Sequence, residues 1–362
     1  MQSRSAVWPL ALVASASLSL VSCDQPATVV ASPPFSSVFE LVEVIELGED
    51  PADSIAEVGV LVERHDGGFI IGDRILPRVR TYADDGSLEG AFGRFGDGPW
   101  ELRQVGAVAE TASGRIVVSS PRNRWLTYLN SDLSPDTLVG IGDNWVFKVF
   151  PFGPDIVFYG IGMARSIHDV AVQSGYFHRL VDGSVAWTSW TTPIFGKPYW
   201  QGFGDVVGAV AGDSIFAMAQ LLYPATILNG AGDSVGTIGA PSPSFRRVPE
   251  IEPGAYATTS PGGQDASDVL GTFDLVPRID VVSGDYLIFT VGQLDETKPF
   301  FPFRVLHTRL EVYDRHAGTK LYEDVPLPAG VKVLGGGRYL YVLQNPDIPP
   351  WRIAKYRLRV AD

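Results

Sequence analysis

The chain has 362 residues, 45% of them hydrophobic, with a formal net charge of −13 and a pI near 4.8. A chain this acidic has little with which to neutralise a row of phosphates, which argues against a nucleic-acid partner. Its single cysteine, Cys23, excludes a disulfide framework and a cysteine-based zinc site, and its five histidines show no HExxH-type spacing.

Arg4 gives a positive start, Ala6 to Leu20 is apolar apart from Pro9 and small serines, and Leu20-Val21-Ser22-Cys23 closes the run. The run is too short for a stable span of a 30 Å hydrocarbon layer, so residues 1–22 read as a cleavable export signal. Its last four residues resemble the lipobox of bacterial lipoproteins. That resemblance implies that the Cys23 thiol takes a diacylglycerol and becomes the new N-terminus. The chain would then be lipid-anchored in the cell envelope, facing the periplasm or exterior. The plainer alternative is a signal cut nearby, with Cys23 incidental. Residues 23–37, with Pro26, Pro33 and Pro34, are expected to form a flexible tether, and 38–362 the folded domain.

Phe39 to Leu47 alternates apolar and acidic residues, the period of a half-buried strand. It stands alone, ahead of the first full repeat, and is expected to be the outer strand of the last blade of a ring. From Val58 to Leu138 the sequence says the same thing twice. Gly68 corresponds to Gly114, Ile70 to Ile116 and Tyr82 to Tyr128, each 46 residues apart. Repeats of about 40–50 residues with four short strands mark propeller blades. Asp85-Gly86 and Asp182-Gly183 are turn pairs at the expected places before outer strands.

Blade three is looser, its third strand either Val170–Gln173 or Tyr176–Leu180. Blade four takes Val206 to Ile238 and blade five Ile279 to Val325. Blade six supplies only three strands, from Val331 to Val360, and the N-terminal strand completes it. The prediction is therefore an all-β, six-bladed propeller of four-stranded antiparallel blades, closed by the N-terminal strand. Two stretches fit no strand, Trp190–Phe203 and Ala240–Arg278.

Between blades one and two lies Phe92-Gly93-Arg94-Phe95-Gly96-Asp97-Gly98-Pro99-Trp100-Glu101-Leu102. It is similar to the G-x-x-G-x-G-P-G-E-F signature of NHL-like six-bladed propellers, common as bacterial lipoproteins. Trp100 stands where that pattern has Gly, and Leu102 where it has Phe. The resemblance implies a fold and not an activity.

In a four-stranded blade, the first-to-second and third-to-fourth turns share one face. The second-to-third loops and the blade-to-blade links share the other. This second face, the loop face, collects the long segments, the aromatics and the arginines. Arg74, Arg78, Arg94, Trp100, Arg122, Arg124, Arg165, Trp200, Arg304 and Trp351 are the candidate ligand contacts there. Guanidinium forks and aromatic platforms suit a small anionic molecule, a glycan or a protein partner. Pro299 to Arg304 is the densest apolar cluster in a predicted loop.

No GxSxG elbow, P-loop or GxGxxG is present, and no D-x-D-x-D-G run. No cofactor is expected on these grounds, although loop oxygens in a propeller channel can take Ca²⁺. The expected function is binding without chemistry. The alternatives are a metal-dependent hydrolase or lyase, lactonase-like, on the same scaffold, and a structural part of an envelope assembly.

Overall fold

The computed structural model describes residues 30–121, 123–142, 144–162, 175–191, 206–248, 272–294 and 305–360. The described chain opens with β1 (Val30–Ala31), the short helix α1 (Phe35–Val38) and β2 (Phe39–Glu46). Blade one is β3 (Val58–Glu63), β4 (Phe69–Asp73), β5 (Val79–Tyr82) and β6 (Leu88–Phe92). Blade two is β7 (Ala107–Glu110), β8 (Ile116–Ser119), β9 (Trp125–Leu129) and β10 (Pro135–Gly140). Blade three is β11 (Asn144–Phe152), β12 (Asp155–Gly162), β13 (Gly175–Val181) and β14 (Ser184–Thr191). Blade four is β15 (Val206–Ala211), β16 (Ser214–Ala219), β17 (Ala225–Leu228) and β18 (Ser234–Ile238). Blade five is β19 (Asp274–Val282), β20 (Tyr286–Leu294), β21 (Val305–Asp314) and β22 (Lys320–Pro326). Blade six is β23 (Val331–Gly336), β24 (Leu340–Gln344) and β25 (Arg352–Leu358), completed by β2.

The edge strands β3, β7, β11, β15, β19 and β23 each touch the next and so encircle an axis. This is the expected six-bladed propeller. It has no single core. Six apolar wedges lie between successive blades instead. Ile70, Val79, Val108 and Ile116 join blades one and two. Ile45, Phe69, Tyr341 and Ile353 join blade six to blade one and shut the ring. Middle strands are packed on both sides, which is why β4, β5 and β8 are buried at every position. Alternation is clear in the outer strand β6, whereas in the closing strand β2 the apolar Leu41, Val42 and Val44 are exposed.

Closure is as expected: β2 pairs antiparallel with β25, from Phe39 opposite Leu358 to Glu46 opposite Arg352. The second half of the expected tether differs. Val30 and Ala31 run parallel to β22, opposite Tyr322 and Glu323, and make a fifth strand on blade five. Phe35 and Val38 are then buried in the wedge between blades five and six. Phe35 stacks on Phe39 at 4.8 Å and meets the edge of Tyr356 at 5.0 Å. The N-terminal segment thus clasps two adjacent blades.

Strands also reach into both stretches expected to lack them. Of Ala240–Arg278, the end is the start of β19, and 240–248 packs on blade five. Trp190 belongs to β14, and blade three's third strand is the one over Tyr176–Leu180. The Pro299–Arg304 cluster lies outside the described residues. No described helix is long and apolar enough to cross a membrane.

The turns on the narrower face are tight. Gly86 has φ +88°, and a Cβ there would sit 2.3 Å from the Glu46 carbonyl oxygen, so the turn can touch the closing strand only as glycine.

Candidate binding face

Blade five is taller than blade one. Its first three strands have 9, 9 and 10 residues, against 6, 5 and 4 in blade one. Both blades turn tightly on the narrow face, so the extra three or more residues, about 10 Å of strand, stand on the loop face. Against this wall lies an open groove of about 370 Å³. The starts of β19 and β21 and the ends of β20 and β22 line it with Asp274, His307, Arg309, Gln293 and Asp324. The link from blade four adds Ser244 and Arg246, and the N-terminal segment adds Ser32.

Charge pairing fixes the floor. Asp274 is buried and accepts the Arg246 backbone N–H at 2.8 Å, the Arg246 Nη2 at 3.0 Å and the Arg309 Nη2 at 2.9 Å. Burial works to raise its pKa, but these donors outweigh burial and hold the carboxyl below the usual range. Arg309 Nε donates to Asp324 at 2.7 Å, and Asp324 also accepts from Ser242 and Ser244 at 3.0 and 2.7 Å. Below this layer Glu311 is 0% exposed. Its Oε2 lies 2.7 Å from the Tyr313 hydroxyl and 3.0 Å from that of Tyr223, and Lys320 Nζ is 3.4 Å away. The link is therefore docked by buried polar bonds. His307 sits at the rim, exposed, with φ +50°.

The predicted contacts divide. Arg74 Nη1 bonds Glu57 at 3.0 Å, close to the axis. Arg78 donates from Nε to Asp53 at 3.2 Å and from Nη1 to the Gly93 carbonyl, so it braces the link it was expected to reach beyond. Arg94 is 73% exposed and 3.0 Å from Glu101, and Arg124 is exposed. Trp100 is half-buried with φ +66°, the left-handed conformation that explains the glycine of the NHL-like pattern. A Cβ on the signature's Gly96 would lie 2.0 Å from Glu101 Oε2, so a side chain there would displace that carboxylate. Trp351 is corrected: it is 3% exposed, in the wedge between blades six and one, with Nε1 3.4 Å from the Ile55 carbonyl. That ring packs in the apolar seam that closes the propeller rather than standing on the loop face. Cys23, Arg122, Arg165, Trp200 and Arg304 lie outside the described residues.

Sequence reasoning missed Arg80, whose side chain is 1% exposed. Its Nη2 donates to the Asp53 and Ser54 carbonyls and to Asp53 Oδ1 at 2.9, 3.1 and 3.0 Å. A signal was present: the 46-residue offset maps Arg80 onto Leu126, a core position. Asp274, Arg309 and Glu311 had none, because their partners are drawn from different strands of blade five, from Tyr223 of blade four and from a link without periodicity. Among the described residues no three His, Cys, Asp or Glu side chains stand together as metal ligands would.

No protein-family model matches the sequence, and no curated protein does. Solved structures do match. A protein of Bacteroides fragilis NCTC 9343 named as exported is 12% identical, with a TM-score of 0.63 over 92% of this chain and 100% of its own. A DUF4221-family member from Bacteroides vulgatus is 12% identical, with a TM-score of 0.59 over 90% of this chain and 99% of its own. At such identity the likeness concerns the fold alone.

Proposed function

We propose that this chain is a lipid-anchored, extracytoplasmic propeller that holds a polar ligand or a protein partner on its loop face and performs no chemistry of its own. The blade-five groove carries the reading. It is open and lies on the face with the long connections. Its mixture of hydroxyl, amide, imidazole and paired charges suits a glycan or a polar peptide better than an apolar molecule. The anchor rests on Cys23, the chain's only cysteine, at the end of its apolar leader.

Two experiments test it. Cys23→Ser is expected to move the protein from the membrane to the soluble fraction and to abolish labelling by palmitate; a membrane-bound, labelled variant overturns the anchor. For the groove, glycan and peptide arrays are probed with wild type, with His307→Ala/Gln293→Ala and with Arg94→Ala. A ligand lost only in the groove variant supports the assignment, and one lost equally in Arg94→Ala moves the site elsewhere on the face.

A further inference from the structure

We propose that the outer rim of blade six, at β2, rests on the lipid surface to which Cys23, as read above, anchors the chain. The contact presupposes that anchor. β2 is the edge of its sheet and pairs on one side only, with β25. Leu41, Val42 and Val44 are 50%, 40% and 41% exposed there. The register slips between Leu41 and Glu43, and the neighbours Leu41 and Val42 are both left outside. No other outer strand matches this among the described residues. β6 and β10 expose no large apolar side chain, and β14 and β18 expose one each, Val185 and Val235.

The tether ends beside this strand. Val30 lies opposite Tyr322, whose hydroxyl donates to the Arg359 carbonyl at 2.9 Å, and the Arg359 N–H donates to the Val38 carbonyl at 2.7 Å. Phe35 meets Tyr356 at 5.0 Å, and Tyr356 is the register partner of Leu41. Val30 is only seven residues after Cys23, a reach of about 25 Å at full extension. A folded domain of this length is about 50 Å across. A lipidated Cys23 therefore keeps the seam of blades five and six nearer the bilayer than the far side of the ring. Charge permits the contact. Glu40, Glu43 and Glu46 of β2 reach Arg359, Lys355 and Arg352 at 4.0, 3.0 and 2.9 Å, so each acid is matched by a base. Arg357 on β25 is exposed beside them. Leucine and valine at the headgroup boundary, with arginine next to anionic lipid, are the chemistry of a bilayer interface. Contact through the rim leaves the loop face, with its blade-five groove, open to solvent.

Lipidated protein is reconstituted on vesicles of phosphatidylethanolamine and phosphatidylglycerol with nitroxide-bearing acyl chains. Lipidation consumes the Cys23 thiol, so Val42→Cys or Val185→Cys supplies the only thiol for a fluorophore. Val185 is on blade three, the farthest from blade six in a ring of six. The nitroxide lipid is expected to quench the label at 42 and to leave the label at 185 unchanged. Equal quenching at both, or none at 42, overturns the contact and leaves the anchor standing. Wild type that does not float with the vesicles removes the anchor, and the rim contact falls with it. Should the labelled variants not fold, hydrogen exchange on the wild type reads the same contact. The β2 amides are expected to exchange more slowly on vesicles than in the Cys23→Ser protein, with β18 unchanged; equal rates at β2 overturn it. Exchange at β2 that slows as the Cys23→Ser protein is concentrated assigns the rim to a second copy of the chain and overturns the lipid contact.

Discussion

Blades one and two are built on the same 46-residue plan, yet one is held by buried charge and the other by hydrocarbon. Where blade one has Asp73 and Arg80, blade two has Ser119 and Leu126, and all four are buried. In blade one Asp73 accepts from the backbone of Ala56, Ile75 and Leu76, while Arg80 ties down Asp53 and Ser54. These bonds fix the incoming link and the second-to-third loop. In blade two Leu126 simply fills the wedge with blade three, and the Ser119 hydroxyl has no partner. A blade therefore does not need the ion pair to fold. Its position suggests a different use: ordering loop-face connections where the N-terminal strand hands the ring over to blade one.

The comparison is broken most severely by Arg80→Ala. It leaves Asp53 and Asp73 without their buried cation, and a loss of about 3–5 kcal/mol is expected in denaturant unfolding. Arg115→Ala in blade two, a half-exposed partner of Asp136, should lose less than about 1 kcal/mol. Equal losses would end the distinction. Next comes the exchange of one blade's solution for the other's. Arg80→Leu with Asp73→Ser should lose less than the two single changes added together, with a coupling of about 1–3 kcal/mol. Strict additivity would show that the two side chains act separately.

Blade three extends the contrast with a buried group that titrates. His178 stacks on Phe158 at 4.7 Å, its Nδ1 lies 2.9 Å from Thr188 Oγ1, and burial pushes its pKa down to about 4. The unfolded imidazole binds a proton near 6.5, so stability is full above that pH. It declines by up to ~1.4 kcal/mol per pH unit as the pH falls towards 4. His178→Asn should flatten this slope between pH 6.5 and 4 in thermal melts, and an unchanged slope would assign it to another group. The smallest effect has the opposite sign. Trp100→Gly places the residue of the NHL-like pattern at φ +66°, and a gain of about 0.5–1 kcal/mol is expected. A loss would mean that the half-buried indole contributes more than the backbone strain costs.

What could be read from the sequence follows the same physics. Turns and outer strands were legible because Asp-Gly pairs and alternation are local signals, and they set the repeat, the blade number and the closing strand. The middle strands carried less information, being apolar on both faces. The contact of β1 with blade five is two residues long and parallel, and nothing in Val30-Ala31 announces it. Arginines were legible as residues but not as environments. Arg78 and Arg74 are engaged with Asp53 and Glu57, and Arg80, the most buried of the three, was readable only through its alignment with Leu126. The groove depends on how far blade five rises and on where the link from blade four lands, both set by packing between distant segments.

Ring closure also has a consequence for the order of synthesis. Glu46 and Arg352 are bonded across 306 residues, so β2 leaves the ribosome long before its partner exists. Until β25 emerges, Ile45 has no Ile353 to cover it and the seam beside Phe69 stays open to water. A nascent chain stopped short of residue 352 is thus not a slightly smaller propeller. It is an unshut arc with a greasy flank at each end, and the arrival of Arg352 to Leu358 decides whether all the earlier residues are kept.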